Sequence, residues 1–403
     1  MTPKTVEAAV PSGVTKNGGE VSSGQAGAVV VGGDYQGLGI VRSLGRRKIP
    51  VCVVDDEHSI SRFSRYATHS IKLANLREER EAVDQLMTIG NRLGLKGWVL
   101  FPTRDETVAA ISRCRSLLME MYRVPTPDWA SVRWADDKRN TYRLAGELNI
   151  PTPRTWYPNS LEELRAIDLP FPLAIKPAIK EHFFYATKAK AWRAGSRAEL
   201  ESLFQRAAAL VGPGEVMVQD LIPGNGDHQF AYCAFFKEGN AIGSMVARRR
   251  RQHPPEFGRA STFVETTEVP ELEEYSEKFL RAIDYYGLVE LEYKRDMRDG
   301  QYKLLDVNAR TWGYHSIGAQ AGVDFPYLLY ADQMGMPLEP CRGRAGVSWI
   351  RLVTDFPASV PEILAGRLSW STYLRSLKSF GVEAVLAGKI RCPAWWNWPC
   401  FPI

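Results

Sequence analysis

The chain of 403 residues lacks the features that mark several classes of protein. No apolar run is long enough to span a bilayer, and the initial stretch MTPKTVEAAVPSGVTKNGGEVSSGQAG lacks the apolar core of a signal peptide. The net charge is only +5, and basic and acidic residues are interspersed, so charge alone does not indicate nucleic-acid binding. We therefore expect a cytoplasmic protein with no nucleic-acid or membrane partner and a disordered leader over residues 1–26.

Cysteine and histidine are scarce, at six residues each. The cysteines form no CxxC motif and do not combine with histidine at the spacing of a zinc site; they are Cys52, Cys114, Cys233, Cys341, Cys392 and Cys400. A reducing compartment would keep them as thiols, so we expect them to serve mainly as packing residues. The sequence thus favours neither a zinc module nor a disulfide framework.

The glycines near the start lack the G-x-G-x-x-G spacing of a dinucleotide site. Their stretch, AGAVVVGGDYQGLGIVRSLGRRKIPVCVVDDEHS, has the pattern of a buried strand, a glycine turn, a helix and a second buried strand. This pattern predicts the first βαβ unit of a parallel sheet. Asp34, Tyr35 and Asp55 stand at strand ends, where ligands bind in such sheets, so we expect them to shape an acceptor or carboxylate pocket.

The chain does contain a long alternation of strand and helix patterns. With 45% hydrophobic residues it can bury a large core, and its length suggests two or three domains. A helix is predicted near residues 77–94, and another begins near Asp136 or Asp137, whose carboxylates suit the N-cap. We place a boundary near residue 125 and helical patterns after residue 341. The fold class is α/β, with α+β character in the central part.

The stretch GLVELEYKRDMRDGQYKLLDVNAR, residues 287–310, is the most informative. Polar and apolar residues alternate in it, so Glu290 and Glu292 share one strand face, as do Asp306, Asn308 and Arg310. The connection contains Asp-Gly and predicts an antiparallel hairpin in which the two faces meet. Converging carboxylate and amide oxygens favour Mg²⁺ or Mn²⁺. A hairpin with one solvated face would show the same alternation, and this alternative stays open.

Other segments provide the parts of a nucleoside-triphosphate site. Lys176 ends the apolar strand FPLAIKP, and Lys138 lies in the first turn of the preceding helix. The apolar strand of EVMVQDLIPGNGDHQF runs into a glycine-containing turn followed by Asp227. Two lysines for phosphates, a strand end for adenine, a polar residue for ribose and an oxygen cluster for a metal ion thus follow one another along the chain.

With these motifs the chain resembles the ATP-grasp superfamily, in particular its carboxylate–amine ligase or D-aspartate ligase-like branch, over about residues 27–340. The resemblance implies a Rossmann-like N-terminal (pre-ATP-grasp) domain over residues 27–125. A two-lobed ATP-grasp domain would follow over 126–340, with a small lobe at about 130–218 and a large lobe at about 219–340. A small, mostly helical C-terminal extension would occupy 341–403.

The resemblance also implies roles for individual residues. Those that would hold one or two Mg²⁺ ions on the ATP phosphates are Glu292, Asp306 and Asn308. Those that would bind the nucleotide are Lys138 and Lys176 at the phosphates, the backbone of Gln219, Asp220, Leu221 and Ile222 at adenine, and Asp227 at ribose. Arg310 would lie beside the transferred phosphoryl group or the substrate carboxylate.

The chain departs from the family pattern at three places. Asp306 stands where glutamate is usual, and Gln219 replaces a more common acidic residue. The segment KPAIKEHFFYATKAKAWRA lacks the glycine-rich loop that covers the phosphates in many members. Lys180, Lys188 or Lys190 would supply charge there instead, and we assign Lys188 to the nucleotide.

The densest positive stretch is ARRRRQHPPEFGRAST. In a regular strand Arg249 and Arg251 would share one face. A nucleic-acid patch is one alternative, although aromatic residues are not interleaved, and a solvated edge that discourages strand pairing is another. We favour binding of an anionic substrate or the acyl phosphate by one of these arginines together with Arg259, and we assign a catalytic role to Arg249 and Arg251.

The expected function is that of an ATP-dependent carboxylate–amine ligase. Mg²⁺–ATP would phosphorylate a carboxylate, and an amine would attack the acyl phosphate to give an amide, ADP and phosphate. The partners would be small-molecule carboxylates and amines, and a homodimer is one open state of assembly. The alternatives are activation of a hydroxyl or enol, an ATP-dependent carboxylation, and a non-catalytic ATP-binding regulatory protein, which the missing glycine-rich loop favours.

Overall fold

In the computed structural model, residues 15–16, 25–224, 226–258, 260–379 and 381–386 are described, and they form three sheets with flanking helices. Most of the predicted leader, together with Arg259, Cys392 and Cys400, lies outside these ranges. The predicted α/β class is confirmed. No helix in the described ranges is both long and apolar enough to cross a membrane.

The N-terminal sheet has the strand order β1-β4-β3-β2-β5, with β2 to β5 parallel and β1 antiparallel to β4. Its strands and helices are β1 (Thr15–Lys16), β2 (Ala28–Val31), α1 (Tyr35–Arg46), β3 (Val51–Asp55), β4 (His69–Lys72), α2 (Glu79–Leu93), β5 (Val99–Pro102), α3 (Asp105–Arg113) and α4 (Arg115–Leu118). The valine-rich strands β2 and β3 are buried throughout, as expected of parallel strands covered by helices. The predicted βαβ unit is confirmed as β2-α1-β3.

A small antiparallel sheet follows, in the order β6-β9-β7-β8. This part of the chain contains α5 (Trp129–Asp136), α6 (Lys138–Glu147), β6 (Thr155–Trp156), α7 (Leu161–Ala166), β7 (Leu173–Pro177), α8 (Lys180–Thr187), β8 (Trp192–Ala194), α9 (Arg197–Val211) and β9 (Val216–Asp220). Asp137 caps α6, because its side chain accepts a hydrogen bond from the Arg139 amide at 2.9 Å. The predicted helix start is therefore confirmed.

The largest sheet has the order β14-β13-β10-β11-β12-β16-β17, with β15 paired to β11. Its elements are β10 (Gln229–Lys237), β11 (Asn240–His253), β12 (Ala260–Thr267), α10 (Pro270–Ala282), β13 (Gly287–Arg295), β14 (Tyr302–Asn308), α11 (Ser316–Ala321), α12 (Phe325–Gln333), β15 (Cys341–Arg342), β16 (Ser348–Ile350), α13 (Leu352–Leu364), α14 (Trp370–Ser379) and β17 (Val382–Glu383). The predicted hairpin is confirmed, since β13 and β14 pair antiparallel at the edge of this sheet.

The segment after residue 341 packs closely against the rest of the chain. Its described residues contain the helices α13 and α14, in agreement with the predicted helical patterns, and the short strands β15, β16 and β17, which pair within the large sheet. Arg42 on α1 donates to the carbonyls of Ala384 and Val385 at 2.9 and 2.7 Å. One buried apolar cluster joins Val30 of β2 with Trp349 of β16, so the N-terminal and large sheets share a core. The domain boundaries near residues 125 and 340 stay predictions.

Candidate active site

The candidate site is built on the hairpin of β13 and β14. Their register sets Glu290 opposite Asn308 and Glu292 opposite Asp306. The Asn308 amide nitrogen, Nδ2, donates to Glu290 Oε2 at 3.0 Å and to Glu292 Oε1 at 3.3 Å. The acidic and amide side chains converge as the alternation predicted, and Glu290 and Asn308 are buried, which weighs against a hairpin with one solvated face.

The two glutamates have opposite pKa shifts although they share one strand face. Burial and the neighbouring Glu292 raise the pKa of Glu290 to about 7, while the Tyr314 hydroxyl donates a 2.5 Å hydrogen bond to it. Burial would also raise the pKa of Glu292, but Arg249 and Lys190 outweigh burial and lower that pKa to about 2. Glu292 is therefore a carboxylate at neutral pH, whereas Glu290 lies between its two protonation states.

Two lysines lie where the acidic face meets the small sheet. Lys138, the first residue of α6, places Nζ 3.0 Å from Asp306 Oδ1. Lys176, on β7, donates from Nζ to the Tyr142 hydroxyl at 2.7 Å. Burial and the nearby charge of Lys138 lower the pKa of Lys176 to about 7. Lys176 is thus the more weakly basic of the two cations expected at the phosphates.

The donor set of the hairpin suits a magnesium ion. Glu292, Asp306 and Asn308 offer carboxylate and amide oxygens, which are hard donors, and Mg²⁺ takes its remaining ligands from water and phosphate. In the described part of the chain, no group of three or more His, Cys, Asp and Glu side chains forms a metal cage on its own. The same oxygens contact cations, because Asp306 lies 3.0 Å from Lys138 and Asn308 Oδ1 accepts from Arg310 at 3.0 Å. A metal ion here would therefore compete with Lys138 and Arg310 for these oxygens and would take its other ligands from water and phosphate.

The segment predicted to meet adenine lies at the end of β9. Its residues are Gln219, Asp220, Leu221 and Ile222. The Asp220 amide donates to the Arg154 carbonyl at 2.9 Å, and the Ile222 carbonyl accepts from Lys294 Nζ at 2.8 Å. The backbone of this segment is therefore anchored on both sides of Leu221.

Two predicted nucleotide contacts are exposed to solvent. Asp227 places Oδ1 3.3 Å from Arg250 Nε. Lys188 is the C-cap of α8 and has a left-handed backbone conformation. Among the three lysines considered in place of a glycine-rich loop, Lys190 and Lys180 act on the pKa of Glu292. The structure thus brings these two towards the acidic face and leaves Lys188 at the surface.

The expectation that Arg249 and Arg251 share a strand face is wrong, because the pairing of β11 with β12 is irregular between them. Arg249 is buried, with Nη2 3.4 Å from Glu292 Oε1. Arg251 instead makes two 2.8 Å bonds to the buried Asp355 of α13. Arg249 therefore lies at the candidate site, whereas Arg251 binds the C-terminal helices.

Sequence reasoning missed Asp105, the first residue of α3. Its carboxylate accepts from Arg310 Nε at 2.6 Å and from Arg310 Nη2 at 3.0 Å, and Lys180 Nζ pairs with the same group. Burial would raise the pKa of Asp105, but Arg310 and Lys180 outweigh burial and hold that pKa well below its usual range. Its place just beyond the carboxyl end of a parallel strand is a signal that could have identified it.

The residues expected at the other strand ends have local partners. Asp55 pairs with Arg104 at 2.7 Å, and Asp34 caps α1 by accepting from the Tyr35 amide at 2.7 Å. The Tyr35 ring lies under Arg351, with 4.1 Å between the guanidinium carbon and the ring centre. An acceptor or carboxylate pocket at these positions stays a prediction.

Comparison with known proteins agrees with the resemblance found in the sequence. The family described as "ATP-grasp in the biosynthetic pathway with Ter operon" matches residues 233–351. D-aspartate ligase from Enterococcus faecium (strain Aus0004) is 22% identical over 304 residues, which is 70% of this chain and 70% of that protein.

Solved structures have the same fold. L-amino acid ligase from Bacillus licheniformis matches with a TM-score of 0.60 and 16% identity, covering 78% of this chain and 75% of that one. The complex of biotin carboxylase with β,γ-ATP from Campylobacter jejuni matches with a TM-score of 0.64 and 14% identity, covering 80% of this chain and 74% of that one. At these identities the likeness establishes the fold alone.

Proposed function

We propose that this ATP-grasp protein, which is similar to carboxylate–amine ligases, is an ATP-dependent ligase that forms an amide through an acyl phosphate. A substrate carboxylate oxygen would attack the γ-phosphorus of ATP, and the bond to the ADP oxygen would break. An amine would then attack the acyl carbon, phosphate would leave, and the amine proton would pass to phosphate or solvent. The products would be an amide, ADP and phosphate.

The proposal depends above all on the mixture of acidic and basic groups on one face of the hairpin. Glu292, Asp306 and Asn308 present oxygens there, and Lys138 and Arg310 each lie 3.0 Å from one of those side chains. Phosphoryl transfer requires this mixture, because it proceeds mainly by positioning the reactants and neutralising charge. Such a site needs no protein nucleophile.

Each group has a proposed part in the reaction. Glu292, Asp306 and Asn308 would hold Mg²⁺ or Mn²⁺, which neutralises phosphate charge when bound. Lys138 and Lys176 would contact phosphate oxygens.

The arginines and the end of β9 complete the proposed site. Arg310 and Arg249 would hold the substrate carboxylate or the acyl phosphate, since a guanidinium binds oxyanions well. The backbone from Gln219 to Ile222 would meet adenine, and Asp227 would meet ribose. We further propose a cytoplasmic enzyme with a small carboxylate and a small amine as substrates, and a homodimer as the assembly to test.

The proposal is tested by Mg²⁺-dependent ADP release from purified protein with pooled carboxylates and amines. We expect release that requires both pools, amide products in mass spectra, and a loss of about 100-fold in the variant Asp306→Ala plus Asn308→Ala. Asp299→Ala is the matched control, because Asp299 lies on the turn of the same hairpin and pairs with Lys303 at 2.8 Å.

Three other outcomes would redirect or end the proposal. ADP release that needs bicarbonate and no amine would identify a carboxylase. Mg²⁺–ATP binding without release in any pool would favour a regulatory binding protein. Absence of Mg²⁺–ATP binding would overturn all three functions: ligase, carboxylase and regulatory ATP-binding protein.

A further inference from the structure

Asp105 joins three parts of the chain at the candidate site. It begins α3 beside the N-terminal sheet, Arg310 follows β14 of the large sheet, and Lys180 begins α8 beside the small sheet. Arg310 donates to the Asp105 carboxylate through Nε at 2.6 Å and Nη2 at 3.0 Å, and Lys180 pairs with the same carboxylate. One carboxylate thus holds two cations, one that follows the large sheet and one on a helix beside the small sheet.

The chain just before Asp105 is held firmly in place. Arg104 donates to Asp55 at 2.7 Å and to Asp56 at 2.6 Å, both at the end of β3. Thr103 Oγ1 donates to the Gly32 carbonyl at 3.1 Å, at the end of β2. Because these bonds tie the end of β5 to its neighbouring strands, the Asp105 carboxylate is presented from a rigid edge of the sheet.

The contacts of Arg310 decide which of its nitrogens can meet a substrate. Nε and Nη2 bind Asp105, and Nη2 also donates to Asn308 Oδ1 at 3.0 Å. Nη1 makes a longer bond, 3.3 Å, to the Thr311 carbonyl. The edge of the guanidinium formed by Nε and Nη2 is therefore used within the protein, and Nη1 is the nitrogen that keeps an N–H group for a phosphoryl or acyl oxygen.

We propose that Asp105 is a positioning residue that fixes the Arg310 guanidinium beside Asn308 and holds Lys180 at the phosphate site. The inference rests on the proposed ligase function. In it, α8 takes the place of a glycine-rich loop, and the ammonium of Lys180 replaces backbone N–H donors. Asp105 itself touches no substrate and acts through the two cations.

The test compares Asp105→Asn and Asp105→Glu with wild type in the ADP-release assay with pooled carboxylates and amines. We expect Asp105→Asn to lower kcat about 10- to 100-fold, because a misplaced guanidinium loses its contact in the transition state. The Kd for Mg²⁺–ATP should rise by no more than about threefold, because Lys138 and Lys176 still contact the phosphates when Lys180 loses its partner. Asp105→Glu keeps the charge and should show an intermediate kcat.

Glu79→Gln is the matched control. Glu79 pairs with Arg113 at 3.1 Å at the far end of α3, so this variant removes a carboxylate partner of the same helix away from the site. Its kcat should equal that of wild type.

The outcomes separate the inference from the proposed function. Wild-type kcat in Asp105→Asn overturns the inference and leaves the ligase function standing. A joint fall of kcat, Mg²⁺–ATP affinity and melting temperature also overturns it, because that pattern indicates a merely structural role. If Asp105→Asn does not fold, wild-type kcat in Asp105→Glu overturns it. Wild-type protein that releases no ADP in any pool overturns the ligase function and the positioning role together.

Discussion

At the scale of single residues, neighbours decide the charge of each acid on the hairpin. Glu290 accepts from Tyr314 and Asn308 in a buried position, and burial raises its pKa to about 7. Glu292, on the same face, has Arg249 and Lys190 nearby and a pKa of about 2. The two side chains therefore differ in role, and only Glu292 offers a permanent negative charge to a metal ion.

Lys176 predicts a pH dependence of nucleotide binding. The Lys176 amine is protonated and positively charged below its pKa of about 7 and neutral above it. The affinity for Mg²⁺–ATP should therefore fall as the pH rises past that value. Lys176→Arg keeps its charge throughout and should flatten the dependence. Calorimetric titration between about pH 6 and pH 9 measures both proteins. Equal pH dependence in wild type and Lys176→Arg would contradict this account, in which Lys176 both binds phosphate and loses its proton in this range.

Arg249 and Arg251 should respond differently to replacement by alanine. Arg251→Ala removes the bidentate partner of a buried carboxylate, Asp355, and the free energy of unfolding should fall by about 3–5 kcal/mol. Arg249→Ala removes the cation 3.4 Å from Glu292, and kcat should fall at least about 10-fold. Urea unfolding and ADP release measure the two effects. Loss of activity in Arg251→Ala at unchanged stability would argue against this division of roles.

At the scale of elements, the hairpin could be predicted from the sequence and α8 could not. Alternation from Val289 to Tyr293 and the Asp-Gly turn determine both strands and their faces. Residues 180–187 show no strong amphipathic period, and their helix packs on β7 and α9 and bonds to Glu106 of α3, contacts that exist only in the folded chain. The irregularity in β11 between Arg249 and Arg251 likewise depends on the partner strand, which local sequence does not reveal.

The docking of α8 predicts a local change in hydrogen exchange. The Tyr185 hydroxyl donates to Glu106 Oε1 at 2.5 Å, and Tyr185→Phe removes this bond while keeping the ring. Amides of residues 180–187 should then exchange up to about 10-fold faster, because one hydrogen bond contributes about 1 kcal/mol. Mass spectrometry of peptic peptides gives the rates, with α10, which packs on the large sheet, as internal reference. Unchanged rates over 180–187 would mean that this contact does not hold α8.

At the scale of the whole molecule, the site draws on all three sheets. The sequence alone showed that two lysines, the strand end proposed to meet adenine and the acidic hairpin follow one another along the chain. The pairing of Asp105 with Arg310 was not, because the two are 205 positions apart and meet only in the folded chain. The strands β16 and β17 were missed since three and two residues are too few to show a period.

The C-terminal segment should be required for folding of the large sheet. β16 pairs with β12, and Trp349 and Ile350 are buried. A chain that ends at Pro340 would expose this strand edge and the core beneath it, so we expect aggregation or a large loss of thermal stability. Size-exclusion chromatography and thermal melting test this. A monodisperse truncated protein with the wild-type melting temperature would show that the segment is dispensable.

The central claim is that the hairpin face directs phosphoryl transfer to a substrate carboxylate. The most direct measurement is the transfer of ¹⁸O from a pool of labelled carboxylates to inorganic phosphate, followed by mass spectrometry in the presence of Mg²⁺–ATP and the amine pool. The account predicts a single ¹⁸O in the phosphate released by wild type and background label with Asp306→Ala plus Asn308→Ala. Phosphate released by wild type without label would contradict the claim, because the carboxylate would then not have been phosphorylated.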